Sequence, residues 1–192
     1  MDRRMSWVLK GVLGAALLAG GCGNAQKEAT EAAINAAQTA INTIQGEAAK
    51  YVPEQLAATN NALQSARNAL AKSDYGGALA GAREAANRAR ELAAATAAKK
   101  EEWRKTWASL DEAIPKSLEA AKVKLDAYSR RRPATMDSAQ LDTAEAQYEQ
   151  LKQKWADAKA EAAQGNLGEA IQKASGLPDQ LTQLKEMLGI KP

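Results

Sequence analysis

The chain has 192 residues, with 26 Lys and Arg against 23 Asp and Glu, a formal charge of +3. It contains no His, no Phe and a single Cys, which excludes His-dependent triads, Cys–His nucleophiles and Cys/His zinc sites. Alanine makes up about a quarter of the chain, the bias of long helices and coiled coils. β-Branched and aromatic residues are too sparse for a sheet. The expected fold is all-α: an elongated antiparallel bundle of coiled-coil hairpins.

The first 22 residues are organised differently from the rest. Arg3, Arg4 and Lys10 are basic, Val12 to Leu18 is apolar, and Ala19, Gly20 and Gly21 are small. That order is the n-region, h-region and cleavage site of a signal peptide. The apolar run is too short to span a bilayer, which takes roughly 20 residues. Cys22 follows at once and has no partner thiol, so it is intermolecular or modified.

This segment resembles the signal peptide and lipobox of bacterial lipoproteins. Ala19 stands where that family has Leu, with Leu18 one step earlier. The competing reading is an ordinary signal peptide cut near Gly21 with an incidental cysteine. The resemblance implies cleavage before Cys22, acylation of Cys22 and, because Gly23 is not the Asp that retains such proteins at the inner membrane, an outer-membrane location facing the periplasm. Removing residues 1–21 takes away three basic residues and one acidic one and leaves 23 against 22. The mature chain is therefore nearly neutral and asks for no nucleic-acid partner, which would need a concentrated basic face. Arg130, Arg131 and Arg132 read as a solvated helix end, favourable to the helix dipole.

A first helix is expected over about 25–50, ended at Tyr51-Val52-Pro53. A second starts at Pro53, since proline is welcome in a first turn. It carries Leu56, Thr59, Leu63, Ala66 and Leu70 at the 3-4 spacing of an a/d seam. Ser73 to Gly77 forms a turn with Asp74 as N-cap. A long helix follows, with Ala78, Ala82, Ala85, Ala89 and Leu92 early and Trp103, Trp107, Leu110 and Ile114 later. Pro115 is expected to kink or end it. Leu118, Ala121, Leu125 and Tyr128 continue the apolar face until Pro133.

The next helix has Asp137 and Gln140 spaced for a capping box. It runs through Leu141, Ala144, Tyr148, Leu151, Trp155, Ala158 and Ala162, and Gly165 suits its C′ position. Asn166 and Glu169 look like the cap of a short helix. Gly176-Leu177-Pro178 breaks the chain before a last helix with Leu181, Leu184 and Leu188. The expected division is 1–21, 22–50, 51–130 and 131–192.

Two turns look alike, Ala71 to Leu79 and Ala163 to Ile171, at an offset of 92. The seam is kept at that offset: Leu151 matches Thr59, Trp155 matches Leu63 and Ala158 matches Ala66. This predicts two copies of one helix–turn–helix unit, the second with larger side chains. Residues 45–98, with Tyr51-Val52-Pro53 and Asp74-Tyr75-Gly76-Gly77-Ala78, resemble a family of bacterial lipoprotein domains of unknown function. That resemblance implies a helical hairpin, an envelope location and no activity.

Acidic pairs such as Glu101-Glu102 lie among Lys and Arg, as on solvated helix faces. No enzyme activity, metal or cofactor is expected. The expected role is a structural or protein-interaction module, attached to the membrane through acylated Cys22 and meeting an envelope protein or the cell wall. The alternative is a small-ligand or lipid carrier with one apolar groove lined by Trp103, Trp107, Tyr148 and Trp155. Those four are also the candidate partner-binding residues, Trp103 foremost because charged residues flank it.

Overall fold

The computed structural model describes residues 24–190 and is all-helical, with no strand among the described residues. Six helices follow in order: α1 (Asn24–Tyr51), α2 (Pro53–Ala71), α3 (Tyr75–Arg130), α4 (Ser138–Ala163), α5 (Leu167–Ala174) and α6 (Leu177–Met187). Two of the expected caps are present, and the third, Asn166 before α5, makes no side-chain cap bond. Asp74 accepts from the Gly77 N–H at 2.9 Å, and Asp137 and Gln140 form a reciprocal capping box.

Proline chemistry sets the first corner. The residue before a proline is pushed out of the helical region, and Val52 sits at φ −144°. α1 therefore stops one residue before Pro53 starts α2. Arg67 of α2 donates to Gln38 of α1 at 2.7 Å, which fixes the two as an antiparallel pair. Lys100 of α3 reaches Glu47 of α1, and Tyr51 meets Trp103. α3 thus runs parallel to α1, with α2 antiparallel to both. Small residues permit the close approach: a Cβ built on Gly81 would lie 3.0 Å from the Ala66 Cβ.

The buried residues form two cores. One holds Ile34, Ile41, Leu63, Ala85 and Leu92, from α1, α2 and the first half of α3. The other holds Ile114, Leu125, Trp155, Leu181 and Leu184, from the second half of α3 with α4 and α6. The packing thus divides the chain differently from the expected boundaries. α1 belongs with the first hairpin, and the C-terminal half of α3 belongs with the second. A helical pair leaves an apolar stripe on each partner, and a third helix has to cover it.

The expected repeat extends to this three-helix unit. Both turns close with the same pair of bonds. The Asp74 N–H donates to Ala69 O and the Asn166 N–H to Glu161 O, each at 3.0 Å; Ser73 N–H donates to Leu70 O at 2.9 Å and Gly165 N–H to Ala162 O at 3.0 Å. This is the Schellman arrangement. Its left-handed residue is Ser73 in one copy (φ 60°) and Gly165 in the other (φ 82°). Burial matches beyond the turn at the offset of 92: Ala85 with Leu177, Ala89 with Leu181, Leu92 with Leu184 and Thr96 with Leu188 are all buried. α1 matches the C-terminal half of α3 at an offset of 84. Thr30 pairs with Ile114, Ile34 with Leu118, Ala37 with Ala121 and Ile41 with Leu125, again all buried. The longer link between α3 and α4, residues 131–137 where Val52 alone joins α1 to α2, accounts for six of the eight residues by which the two offsets differ.

α3 joins the units without a break. Its 56 residues span about 84 Å at 1.5 Å per residue. Pro115 does not end it. Pro115 and Asp111, whose carbonyl loses its helical partner there, are both exposed, so water can take the freed bond, and Ile114 and Leu118 hold the flanking turns in the second core.

The repeat yields a paired test of packing. Ala85 and Leu177 occupy equivalent, fully enclosed positions. Ala85→Leu is expected to lower stability by about 1–3 kcal/mol through overpacking. Leu177→Ala is expected to cost about 2–5 kcal/mol through the cavity it leaves. Urea denaturation midpoints check both.

Candidate functional site

Between its two cores α3 carries Lys99, Lys100 and Trp103, all half-buried. These positions continue the buried stripe but face the space where the two units meet. On one side lies the C-terminal end of α1. On the other lie the α4–α5 turn and the start of α5, residues 165–169.

The Tyr51 and Trp103 rings meet at a centroid distance of 5.0 Å and an angle of 54°, a tilted aromatic pair. From the other unit, Gly168 rests against the indole. A Cβ built there would lie 2.6 Å from Trp103 Cη2 and 2.7 Å from Cζ3. No side chain fits at 168 without moving the ring. The equivalent glycine of the first turn, Gly76, meets only its own Asp74, at 3.8 Å.

Beside this contact is an open cleft of about 420 Å³, within the size range of small-molecule sites. Lys50, Tyr51, Trp103, Asn166, Glu169 and Gln172 line it. Asn166 stands at the N-cap of α5, yet its side chain makes no cap bond. It donates instead to Glu161 at 3.2 Å, whose carboxylate also takes Lys173 at 2.6 Å. The hydrogen bonds from Lys173 and Asn166 hold the Glu161 carboxyl below its ordinary range, and Glu161 in turn raises Lys173. Glu47 is likewise held low, first by the hydrogen bond from Lys100 and then by its charge, with Arg104 and Lys50 adding to it.

The four aromatic candidates do not share one groove. Trp107 stacks on Trp155 at 5.2 Å and 22°, and Trp155 is only 4% exposed. Trp155 is a member of the second core, and Trp107 and Tyr148 pack against it. Tyr148 is half-buried and lines a separate shallow groove with Leu125, Ser129 and Glu145. It lies seven residues from Trp155, about 10 Å along the helix. Trp103 alone reaches the junction cleft. Helical spacing places Trp103 and Trp107 on one face of α3, where Trp103 meets Tyr51 and Gly168 and Trp107 meets Trp155. Cys22 lies outside the described residues.

Sequence reasoning passed over Tyr51, Lys50, Gly168 and Gln172 as site residues. Gly168 was legible as the repeat partner of Gly76, but the ring that meets it is 65 residues away in the chain. Chemically, the cleft offers one aromatic wall and a mixed-charge rim. Among the described residues, no three His, Cys, Asp or Glu side chains cluster to hold a metal ion, and every buried side-chain N or O atom has a hydrogen-bond partner. No described helix is long and apolar enough to cross a membrane. No protein-family model, curated protein or solved structure matches the chain.

The Glu47–Lys100 pair has a pH signature. A carboxyl depressed in the folded state stabilises fully above its unfolded value, and that contribution is lost as pH falls through the folded value. An NMR titration should find the Glu47 midpoint below those of unpaired exposed glutamates. Lys100→Met should move it back up.

Proposed function

We propose that this protein is a lipid-anchored module of the bacterial cell envelope, held at the outer membrane through acylated Cys22, that presents helical surfaces to another envelope protein or to the cell wall and performs no catalysis. The observation that carries this reading is the position of Cys22 at the end of a lipobox-like segment, two residues before α1 begins at Asn24. The geometry of the units supports it. α1 and α3 run the same way, so both depart from the end of the molecule that holds Asn24, which follows Cys22 by two residues in the sequence. α3 then carries the second unit away from that end over much of its roughly 84 Å.

Acylation suits such a role energetically. Each buried methylene contributes about 0.8 kcal/mol, one chain holds only marginally, and several hold firmly. The partner surface belongs to exposed helix faces and to the unit junction, because Trp107 and Trp155 are engaged with each other.

The test is metabolic labelling of cells with a fatty-acid probe, followed by membrane fractionation of wild type and Cys22→Ser. Label and membrane retention are expected in the wild type and lost together in the variant. A wild-type chain that takes up no label overturns the anchor. Crosslinking on intact membranes followed by pull-down should recover a defined partner with the anchored chain.

A further inference from the structure

The geometry points to the Trp103–Gly168 contact as a latch that holds the two three-helix units in one fixed relation, with residues 97–106 of α3 as the segment that bends when it opens. This concerns the junction alone and holds whether or not the chain is anchored.

Three observations carry it. First, the cores are separate: Leu92 belongs to one and Ile114 to the other, and Trp103 is a member of neither. Second, apart from α3 itself, no helix of one unit packs extensively on a helix of the other among the described residues. Sparse interfaces of this kind leave relative motion as the default. Apart from the Trp103 contacts, the stretch of α3 between the cores is supported by surface pairs such as Lys99–Glu102, Lys105–Glu101 and Lys100–Glu47 of α1, which contribute little. A helix of that length without packing is marginal in water.

Third, a close contact at the junction is built to a tight tolerance. Trp103 lies between the Tyr51 ring of one unit and the bare Gly168 backbone of the other. The equivalent Gly76 has no such neighbour, so the close fit is particular to the junction and not a requirement of the turn. With the latch closed, the two units and α3 move as one rod. With it open, the cleft lined by Lys50 and Gln172 widens and the second unit swings about α3.

The test measures the distance between exposed equivalent positions on the two units. Ser65→Cys and Asp157→Cys are introduced into the full chain carrying Cys22→Ser, spin-labelled, and examined by double electron–electron resonance. The parent is expected to give one narrow distance. Gly168→Leu, which forces the ring away, and Trp103→Ala, which removes it, should each replace that peak by a broad distribution while circular dichroism keeps its helical signal. If Gly168→Leu loses helicity, Trp103→Ala decides alone. A parent that is already broad, or a folded Trp103→Ala chain as narrow as the parent, overturns the latch.

Discussion

The structure depends on a single constraint: one helix must satisfy two cores. α3 gives its first half to α1 and α2 and its second half to α4, α5 and α6. It does so with one stripe. Ala78, Ala82, Ala85, Ala89, Leu92 and Thr96 are buried in 4-3-4-3-4 steps, and Ile114, Leu118, Ala121 and Leu125 resume in 4-3-4 steps. Between them the half-buried positions 99, 103, 107 and 110 keep the stripe continuous. Extra steps of four rotate a seam against its strict heptad course. Along this stretch Trp107 stacks on Trp155 while Trp103, one turn earlier, meets Tyr51 and Gly168.

Side-chain size then distinguishes the two units. In the first, Ala82, Ala85 and Ala89 line α3, so helix axes approach closely and the core is thin. In the second, Leu177, Leu181 and Leu184 lie at the equivalent stations of Ala85, Ala89 and Leu92, and Trp155 replaces Leu63. Larger side chains bury more apolar area per residue. They suit a unit whose third helix is interrupted at Ser175 and Gly176 and has two shorter pieces to hold. The three buried threonines show how the narrow core admits a hydroxyl. Thr30, Thr59 and Thr96 each donate to the carbonyl four residues back, at 2.7–2.8 Å, so none is left unpaired.

Helix boundaries were largely legible because local chemistry sets them. Val52-Pro53, the Asp74 cap, the Asp137–Gln140 box and the left-handed Gly165 act within a few residues, and all appear as read. Pro115 was expected to kink or end α3 and does not end it. Its cost is local, but α3 is held on both sides by packing that local rules do not contain. Core membership also crosses the expected boundaries: proximity in the chain pairs α2 with α3 and α4 with α5, whereas the third helix of each unit is chosen by complementary stripes. The candidate site was the least legible part. Trp103 was singled out from its charged neighbours, yet its ring partners, Tyr51 and Gly168, come from two other elements.

By itself the sequence determined the helical class, most helix ends and the repeated turn, because periodicity, caps and proline act over one or two turns. The lipobox-like segment ending at Cys22 is equally local, and it carries the proposal for where the chain is attached. Only the tertiary structure decided that the repeat is a three-helix unit, that α3 belongs to both copies, and that Trp103 sits at the junction while Trp107 and Trp155 close the second core. Those outcomes follow from which stripes cover one another in space, and a stripe read along one helix does not name its partner.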